Sequence, residues 1–267
     1  MENRFDHLPH LCKAIAIIRK KDPGFIIPKA IEKDACKAES ILSSADISGV
    51  DRLQLIMIYK SGYHDGGKIE GITSCDSSAH TCKFCEKMRV AAENDPSIIC
   101  GKCYDIKQEN YRYNVLLRHS LNLDIITAVE FTVDEMRLVP MTAIGRIDSS
   151  GETENIIHAK NMLRLIYANP ISKIAYWTKN TVAVDSAIDE IGMPANMIYI
   201  ESSIRINVCN KRSRYAHYTF TVYDKAHIDS AIASGAMICN GKKCMACGFS
   251  CYFGKWPVGS NIAEILR

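Results

Sequence analysis

Apolar and polar residues follow a regular pattern in the second half of the chain, where short apolar runs alternate with segments of helical period. The runs of strand character are 141–148, 173–178, 197–202 and 217–222. The segments of helical period are 154–168, 182–191 before Gly192 and Pro194, and a segment ending at Ser234 before Gly235. Strands that alternate with helices of this length predict right-handed crossovers and a parallel sheet covered on both faces.

The first half of the chain is less regular. The segment before residue 50 has helical spacing, 53–59 is a short apolar run followed by a glycine-containing loop, and 104–124 is predicted to be one helix directly after Cys103. We therefore predict one α/β domain over residues 1–267, with a parallel sheet, flanking helices and cysteine-rich metal-binding loops. Four clear strands fit an open sheet or a partial barrel, and the pattern does not decide between them.

Composition narrows the class of protein. The 267 residues are 47% apolar, which suffices for a large core, and the net charge of +3 requires neither nucleic acid nor a membrane surface as partner. The chain has no apolar run of membrane-spanning length, and its first residues lack the order of a signal peptide. A cytoplasmic protein without a membrane partner is the expectation.

Cysteine is unusually abundant, with twelve residues, nine of them in two groups. A chain of this length folds without disulfides, and reducing compartments disfavour them, so grouped thiols indicate metal ligands or catalytic groups. A secreted disulfide scaffold is the alternative, but no export signal supports it. The two groups are therefore the first candidates for chemistry.

The C-terminal group spans 239–251 and reads Cys239-x4-Cys244-x2-Cys247-x3-Cys251. Its spacings match parts of two ferredoxin patterns, although Tyr252 stands where a proline would follow. Gly241 and Gly248 permit the positive-φ turns that wrapping such a loop requires. Four thiolates from one loop favour a [4Fe-4S] cluster; structural zinc and free redox thiols are the alternatives.

The first group spans 75–103 and contains Cys75, Cys82, Cys85, Cys100 and Cys103. The last four alone resemble a zinc ribbon, which would leave Cys75 without a role. In the iron–sulfur interpretation four of the five bind and the fifth, or nearby His80, is spare or exchangeable. Thiolate softness does not separate iron from zinc, so both stay open for this group.

A polar loop, DSSGE at 148–152, follows a predicted strand, and Lys179 follows the next. Ligands of parallel α/β sheets bind beyond the carboxyl ends of the strands, so we predict Asp148, Ser150, Glu152 and Lys179 as candidate catalytic residues. The structural alternative is that Ser149 or Ser150 caps the following helix, with the acidic residues favouring its N-terminus. The two roles are compatible.

Four segments carry a resemblance to a known family: CGKCYDIKQENYRYNV, RIDSSGETEN, AYWTKN and CNGKKCMACGFSCY. Over about residues 75–252 the chain resembles a gene-product-88-like family of phage, plasmid and bacterial proteins, whose function is unassigned. The resemblance matches Arg146, Ser150–Gly151 and Thr178–Lys179 to family positions. Asp148 replaces a common histidine and Glu152 a common aspartate, so the resemblance does not imply histidine-dependent chemistry here.

Together these observations predict a protein with two [4Fe-4S] clusters, one bound by the 75–103 group and one by the 239–251 loop, acting in electron transfer or redox chemistry with an unidentified partner. The sequence lacks the C-x3-C-x2-C order of radical S-adenosylmethionine enzymes, a dinucleotide fingerprint and a P-loop. The alternative is a zinc-stabilised nucleic-acid-binding protein of a mobile genetic element, using the basic loop 209–215.

Overall fold

A computed structural model describes residues 4–239 and 243–266. The helices within that part of the chain are α1 (Pro9–Lys21), α2 (Lys29–Leu42), α3 (Gly49–Ile58), α4 (Lys83–Asn94), α5 (Tyr104–Glu109), α6 (Tyr113–Ala128), α7 (Val133–Met136), α8 (Ile156–Ala168), α9 (Thr181–Ile191) and α10 (Ile228–Ala233), with a 3-10 turn at Ile99–Lys102. The strands are β1 (Gly62–Tyr63), β2 (Thr73–Cys75), β3 (Ile144–Ile147), β4 (Lys173–Thr178), β5 (Met197–Ser202), β6 (Tyr218–Tyr223), β7 (Met237–Ile238) and β8 (Asn261–Ile265).

The strands form one sheet in the order β1-β2-β3-β4-β5-β6-β8-β7, and every pairing is parallel except that of β1 with β2. The sheet is not closed into a barrel. The predicted fold class, an α/β protein with a mostly parallel sheet and flanking helices, is therefore confirmed, and the open form is the one observed. The carboxyl ends of β2 to β6 lie along one edge.

The two faces of this sheet are covered by different parts of the chain. Ile174 and Tyr176 point into a core that they share with α1, α2, α3, α6, α8 and α9, while Ala175 and Trp177 point to the opposite face. That second face packs against Cys244 and Tyr252 of the C-terminal cysteine segment. Parallel strands that follow one another in the chain are neighbours in the sheet. Because the crossovers between them have one hand, they place the connecting helices on one side of the sheet. The other side is left for the cysteine segment.

Several predicted boundaries need correction. The run 53–59 belongs almost entirely to α3, whose N-terminus is closed by a capping box of Ser48 and Asp51. The predicted helix at 104–124 is two helices, α5 and α6. They are separated at Tyr111 and Arg112, whose N–H groups donate hydrogen bonds to carbonyls of α5. Strand β2 was missed because three residues are too few to show a period.

The N-terminal helices close the far side of the core. Both oxygens of the buried Asp124 carboxyl in α6 accept backbone N–H groups at the start of α1, from His10 and Leu11, each at 2.9 Å. This contact pins α1 to α6, because an unpaired carboxyl and two free N–H groups would otherwise be buried. None of the helices in the described ranges has both the length and the apolar character needed to cross a bilayer.

Candidate functional site

The loop after β3 lies against the loop after β2 at the carboxyl edge. Asp148 has a φ of 56° and Gly151 a φ of 82°. A Cβ atom at Gly151 would lie 2.2 Å from Ser77 Oγ, so no other residue fits without moving the backbone. The DSSGE loop is therefore held in one conformation by close backbone contact.

Ser149 and Ser150 do not cap α8, so that alternative is wrong. Ser149 Oγ donates a hydrogen bond to Asp76 Oδ1 at 2.5 Å, and the Ser150 N–H donates to the same oxygen at 3.0 Å. The cap is Asn155, whose Oδ1 accepts the His158 N–H at 2.8 Å. Ser150 thus contributes its backbone to a contact with Asp76.

Glu152 is buried and fully engaged. Its carboxylate accepts hydrogen bonds from the Thr178 hydroxyl, from the Lys179 N–H at 2.8 Å and from the Thr153 N–H at 3.1 Å. The Lys179 ammonium lies 3.8 Å from the same carboxylate. Glu152 therefore links the loop after β3 to the end of β4 and orients Lys179. These contacts leave little of the Glu152 carboxylate free for proton transfer.

Asp148 and His158 form a buried pair beneath the loop. Asp148 Oδ2 accepts a hydrogen bond from Thr153 Oγ1 at 2.6 Å, while its Oδ1 lies 3.9 Å from His158 Nε2. Burial and the neighbouring Glu152 raise the pKa of Asp148 well above its usual value. Burial lowers the pKa of His158 to about 3. The two side chains are thus favoured in their neutral forms.

Four of the first-group cysteines meet at this edge, and we call Cys82, Cys85, Cys100 and Cys103 the rim cysteines. Cys82 begins α4, where its Sγ accepts the Cys85 N–H at 3.5 Å. Burial lowers the pKa of Lys179, but Cys100, Glu152, Cys85 and Cys103 outweigh it and raise that pKa above its usual value. Three rim thiols, those of Cys85, Cys100 and Cys103, therefore interact with one ammonium. Burial nevertheless raises the pKa of Cys100 and Cys103, and Cys82 together with burial raises that of Cys85, so these thiols are favoured in their neutral forms.

Cys75 lies apart from the rim cysteines. Its side chain is 1% exposed in the helix-covered core, with Sγ 3.8 Å from Met141 Sδ. Burial raises its pKa to about 12. His80 is also engaged elsewhere, since its Nε2 lies 3.1 Å from Asn110 Oδ1. The structure therefore places the fifth cysteine and the nearby histidine outside the group.

The other four, Cys239, Cys244, Cys247 and Cys251, are called the face cysteines because their segment covers the second face of the sheet. The segment is anchored by the Cys239 N–H, which donates to the Ala263 carbonyl at 2.7 Å, and by the Cys244 N–H, which donates to the Lys68 carbonyl at 2.8 Å. Gly248 has the expected positive φ of 66°. Gly241 lies outside the described residues.

All four face cysteines line a cavity of about 210 Å³. This cavity extends from the cysteine segment across the sheet to Asp148, Glu152 and Lys179 at the carboxyl edge. The structure therefore brings three of the four predicted catalytic residues to the same cavity as the face cysteines. Ser150 is not among the lining residues.

Arg146 belongs to β3, and its side chain lines the cavity together with the face cysteines. Its guanidinium carbon is 4.6 Å from the centre of the Trp177 ring. Burial and Cys244 raise the pKa of Cys251 to about 12, and Arg146 opposes that rise. The sequence singled out Arg146 only by its resemblance to a family position, although a charged residue inside the mostly apolar run 141–147 was a usable signal.

Other cavity residues were missed altogether. Lys68 comes from the glycine-containing loop after β1, and its Nζ donates to Glu264 at 2.8 Å. Asp105 lies two residues after Cys103, and burial together with Asp76 raises its pKa to about 6. Neither belongs to a recognisable motif, because the chain brings them to the cavity only through the fold.

The basic loop 209–215 is largely neutralised. Arg212 Nε donates to the buried Glu201 carboxylate at 2.7 Å, and Arg214 pairs with Asp189. Tyr215 Oη also donates to Asp189, at 2.5 Å. These contacts leave little free positive charge to meet a phosphate backbone.

Within the described ranges, no three or more His, Cys, Asp or Glu side chains are arranged to hold a single metal ion. Metal binding by either cysteine group therefore stays a prediction. In comparisons with known proteins, no family model, no curated protein and no solved structure matches this chain.

Proposed function

We propose that the protein is a cytoplasmic iron–sulfur protein with two [4Fe-4S] clusters and a role in electron transfer or redox chemistry. The observation that carries this proposal is the lining of one cavity by all four face cysteines. The cavity also holds Arg146 and Lys68, whose positive charges stabilise thiolates and the net negative charge of a cysteine-bound cluster. The cluster would supply one-electron chemistry.

The rim cysteines are proposed to hold the second cluster. Lys179 interacts with three of their thiols and provides a fixed compensating charge. Zinc remains the alternative metal for this group, because four thiolates also suit a closed tetrahedral zinc site. The neutralised loop 209–215 removes the main support for a nucleic-acid-binding function.

Elemental analysis of anaerobically purified protein tests the proposal. Two clusters predict about eight iron and eight sulfide per chain and broad absorption near ~400 nm that dithionite bleaches. About four iron with one zinc would assign zinc to the rim cysteines. Protein without iron and sulfide would contradict the proposal.

Tryptophan fluorescence locates the cluster on the face cysteines. The chain has two tryptophans, Trp177 and Trp256, and both line the cavity. A cluster on the face cysteines would therefore quench nearly all tryptophan emission, and its removal by acid or chelator followed by refolding would restore it. Emission that is equally strong with and without iron would place the iron elsewhere.

A further inference from the structure

The cavity contains donors that the protein itself does not satisfy. Arg146 Nε and Trp177 Nε1 are buried, and neither has a hydrogen-bond partner among the described residues. In the same part of the chain, no carboxylate lies within 4.0 Å of the Arg146 guanidinium. Burying a guanidinium N–H and an indole N–H without partners is costly, so a molecule that accepts hydrogen bonds and carries negative charge would stabilise this site.

Among the acidic groups near the cavity, Glu152 and Asp76 are committed to other partners, whereas Asp148 Oδ1 is buried without a hydrogen-bond partner in the described part of the chain. Glu152 accepts from Thr178 and from the Lys179 N–H, and Asp76 accepts from Ser149 and the Ser150 N–H. These carboxylates are held by the loops that shape the cavity, so neither of them pairs with Arg146.

The other residues that line the cavity, and its volume, restrict the size and chemical character of the ligand. Trp177 lies against the guanidinium, and Phe220, Trp256 and Ile262 add further apolar surface to the cavity. The volume of about 210 Å³ is below the roughly 300–1,000 Å³ of pockets for drug-sized ligands, which excludes a nucleotide cofactor. A small molecule with one anionic end and a flat apolar body fits both limits.

We propose that this cavity binds a small organic carboxylate, with the carboxylate on Arg146 and the apolar body against the aromatic side chains. A planar guanidinium forms paired hydrogen bonds with a carboxylate, which a point charge does not. The inference goes beyond the proposed function, since neither cysteine-bound clusters nor electron transfer requires a carboxylate site.

The test compares benzoate with benzamide, which has the same shape and no charge, by calorimetric titration of the protein as purified. Benzoate is expected to bind at least about tenfold more tightly than benzamide, as one charge-assisted contact predicts. On iron-free protein, whose tryptophan emission no cluster quenches, benzoate should also change the emission of both tryptophans, because both line the cavity.

Variants assign the binding to Arg146. Arg146→Gln should weaken benzoate binding about tenfold or more, while Arg146→Lys should recover part of it by restoring the charge. The matched control is Arg205→Gln, which removes a partly exposed arginine that pairs with Asp95 and does not line the cavity. It should bind benzoate as the unchanged protein does.

Absence of benzoate binding, equal binding of benzamide, or unchanged binding by a folded Arg146→Gln variant would overturn the inference. If that variant does not fold, the comparison of the two ligands on the unchanged protein decides. Iron and sulfide are measured on the same samples. Iron-loaded protein that does not bind benzoate refutes the carboxylate site alone. Anaerobically purified protein that binds benzoate but contains no iron or sulfide refutes the proposed function alone.

Discussion

The rim cysteines and the face cysteines are built in opposite ways. The face cysteines come from one segment, Cys239 to Cys251, whose close spacing brings the thiols together locally. Cys82 and Cys85 lie at the N-terminus of α4, Cys100 lies within the 3-10 turn Ile99–Lys102, and Cys103 directly follows that turn. These cysteines come close only because both elements reach the carboxyl edge beside Lys179. Cysteines can thus be brought together by their close spacing in the sequence, or by the fold that places distant segments side by side.

The two groups also differ in their compensating charge. Lys179 belongs to the edge itself and is oriented by Glu152 of the neighbouring loop. Arg146 and Lys68 instead approach the face cysteines from the sheet and from the loop after β1. Each group therefore has its own cations, so changes to one should leave the other intact.

The largest expected effect is the loss of one centre at a time. Cys247→Ser should remove the face cluster and Cys82→Ser the rim centre, each lowering the iron content to about half of eight. Only Cys247→Ser should restore tryptophan emission, because the tryptophans line the face cavity. Iron analysis and fluorescence on anaerobic protein measure both effects.

Cys75→Ser is the matched control for these variants. Cys75 is buried among core residues and touches Met141 rather than a rim thiol, so full iron content is expected with reduced stability. Loss of half the iron in this variant would show that Cys75 is a ligand. It would also show that the rim group has been assigned wrongly.

A smaller effect is expected from the lysines. Lys179→Met removes the charge shared by three rim thiols, and we expect faster loss of metal from the rim centre to a chelator. Lys68→Met should do the same for the face centre, because Lys68 interacts with Cys239. The rate of metal release, followed with tryptophan emission as the signal for the face, measures both. Equal release from both centres in either variant would contradict separate compensation.

The sequence predicted the second half of the fold well. Strands 173–178 and 197–202 coincide with β4 and β5, because six-residue buried strands between amphipathic helices have a clear pattern. The segment that covers the second face of the sheet could not be predicted. No periodicity in the sequence shows that a cysteine segment, rather than a helix, packs there. The predicted α/β class did not depend on that detail.

The candidate site, like the fold, was predicted from the sequence only in part. Residues adjacent to strand ends, such as Asp148 and Lys179, were found because the carboxyl edge of a parallel sheet is a known ligand position. Cys75 could not be separated from the rim cysteines by spacing. Its separation follows from side-chain alternation in β2, which turns Cys75 to the helix-covered core while Ser74 hydrogen-bonds His64 Nε2 at 2.7 Å.

The smallest expected effect concerns acid, and it distinguishes the supports of the two groups. The face is supported by cations that do not titrate below neutral pH, whereas the loop at the rim rests on the neutral pair of Asp148 and His158. Because the pKa of His158 is lowered to about 3, the unfolded chain binds the proton first as pH falls below about 6.5. The contribution of His158 to stability should therefore fall with pH over this window by up to about 1.4 kcal/mol per pH unit, whereas Asp148, whose pKa is raised, contributes with the opposite sign.

His158→Asn should flatten that fall, because asparagine does not titrate and its oxygen replaces Nδ1 as the acceptor of the Glu154 N–H. Urea unfolding of the metal-free protein at pH 7 and pH 5 measures the difference. His227→Asn is the matched control, since His227 is largely exposed and pairs with Asp224 instead of contacting the rim loop. A pH dependence that is the same in His158→Asn and the unchanged protein would show that the histidine is accessible to protons, and the loop at the rim would then not rest on a neutral pair.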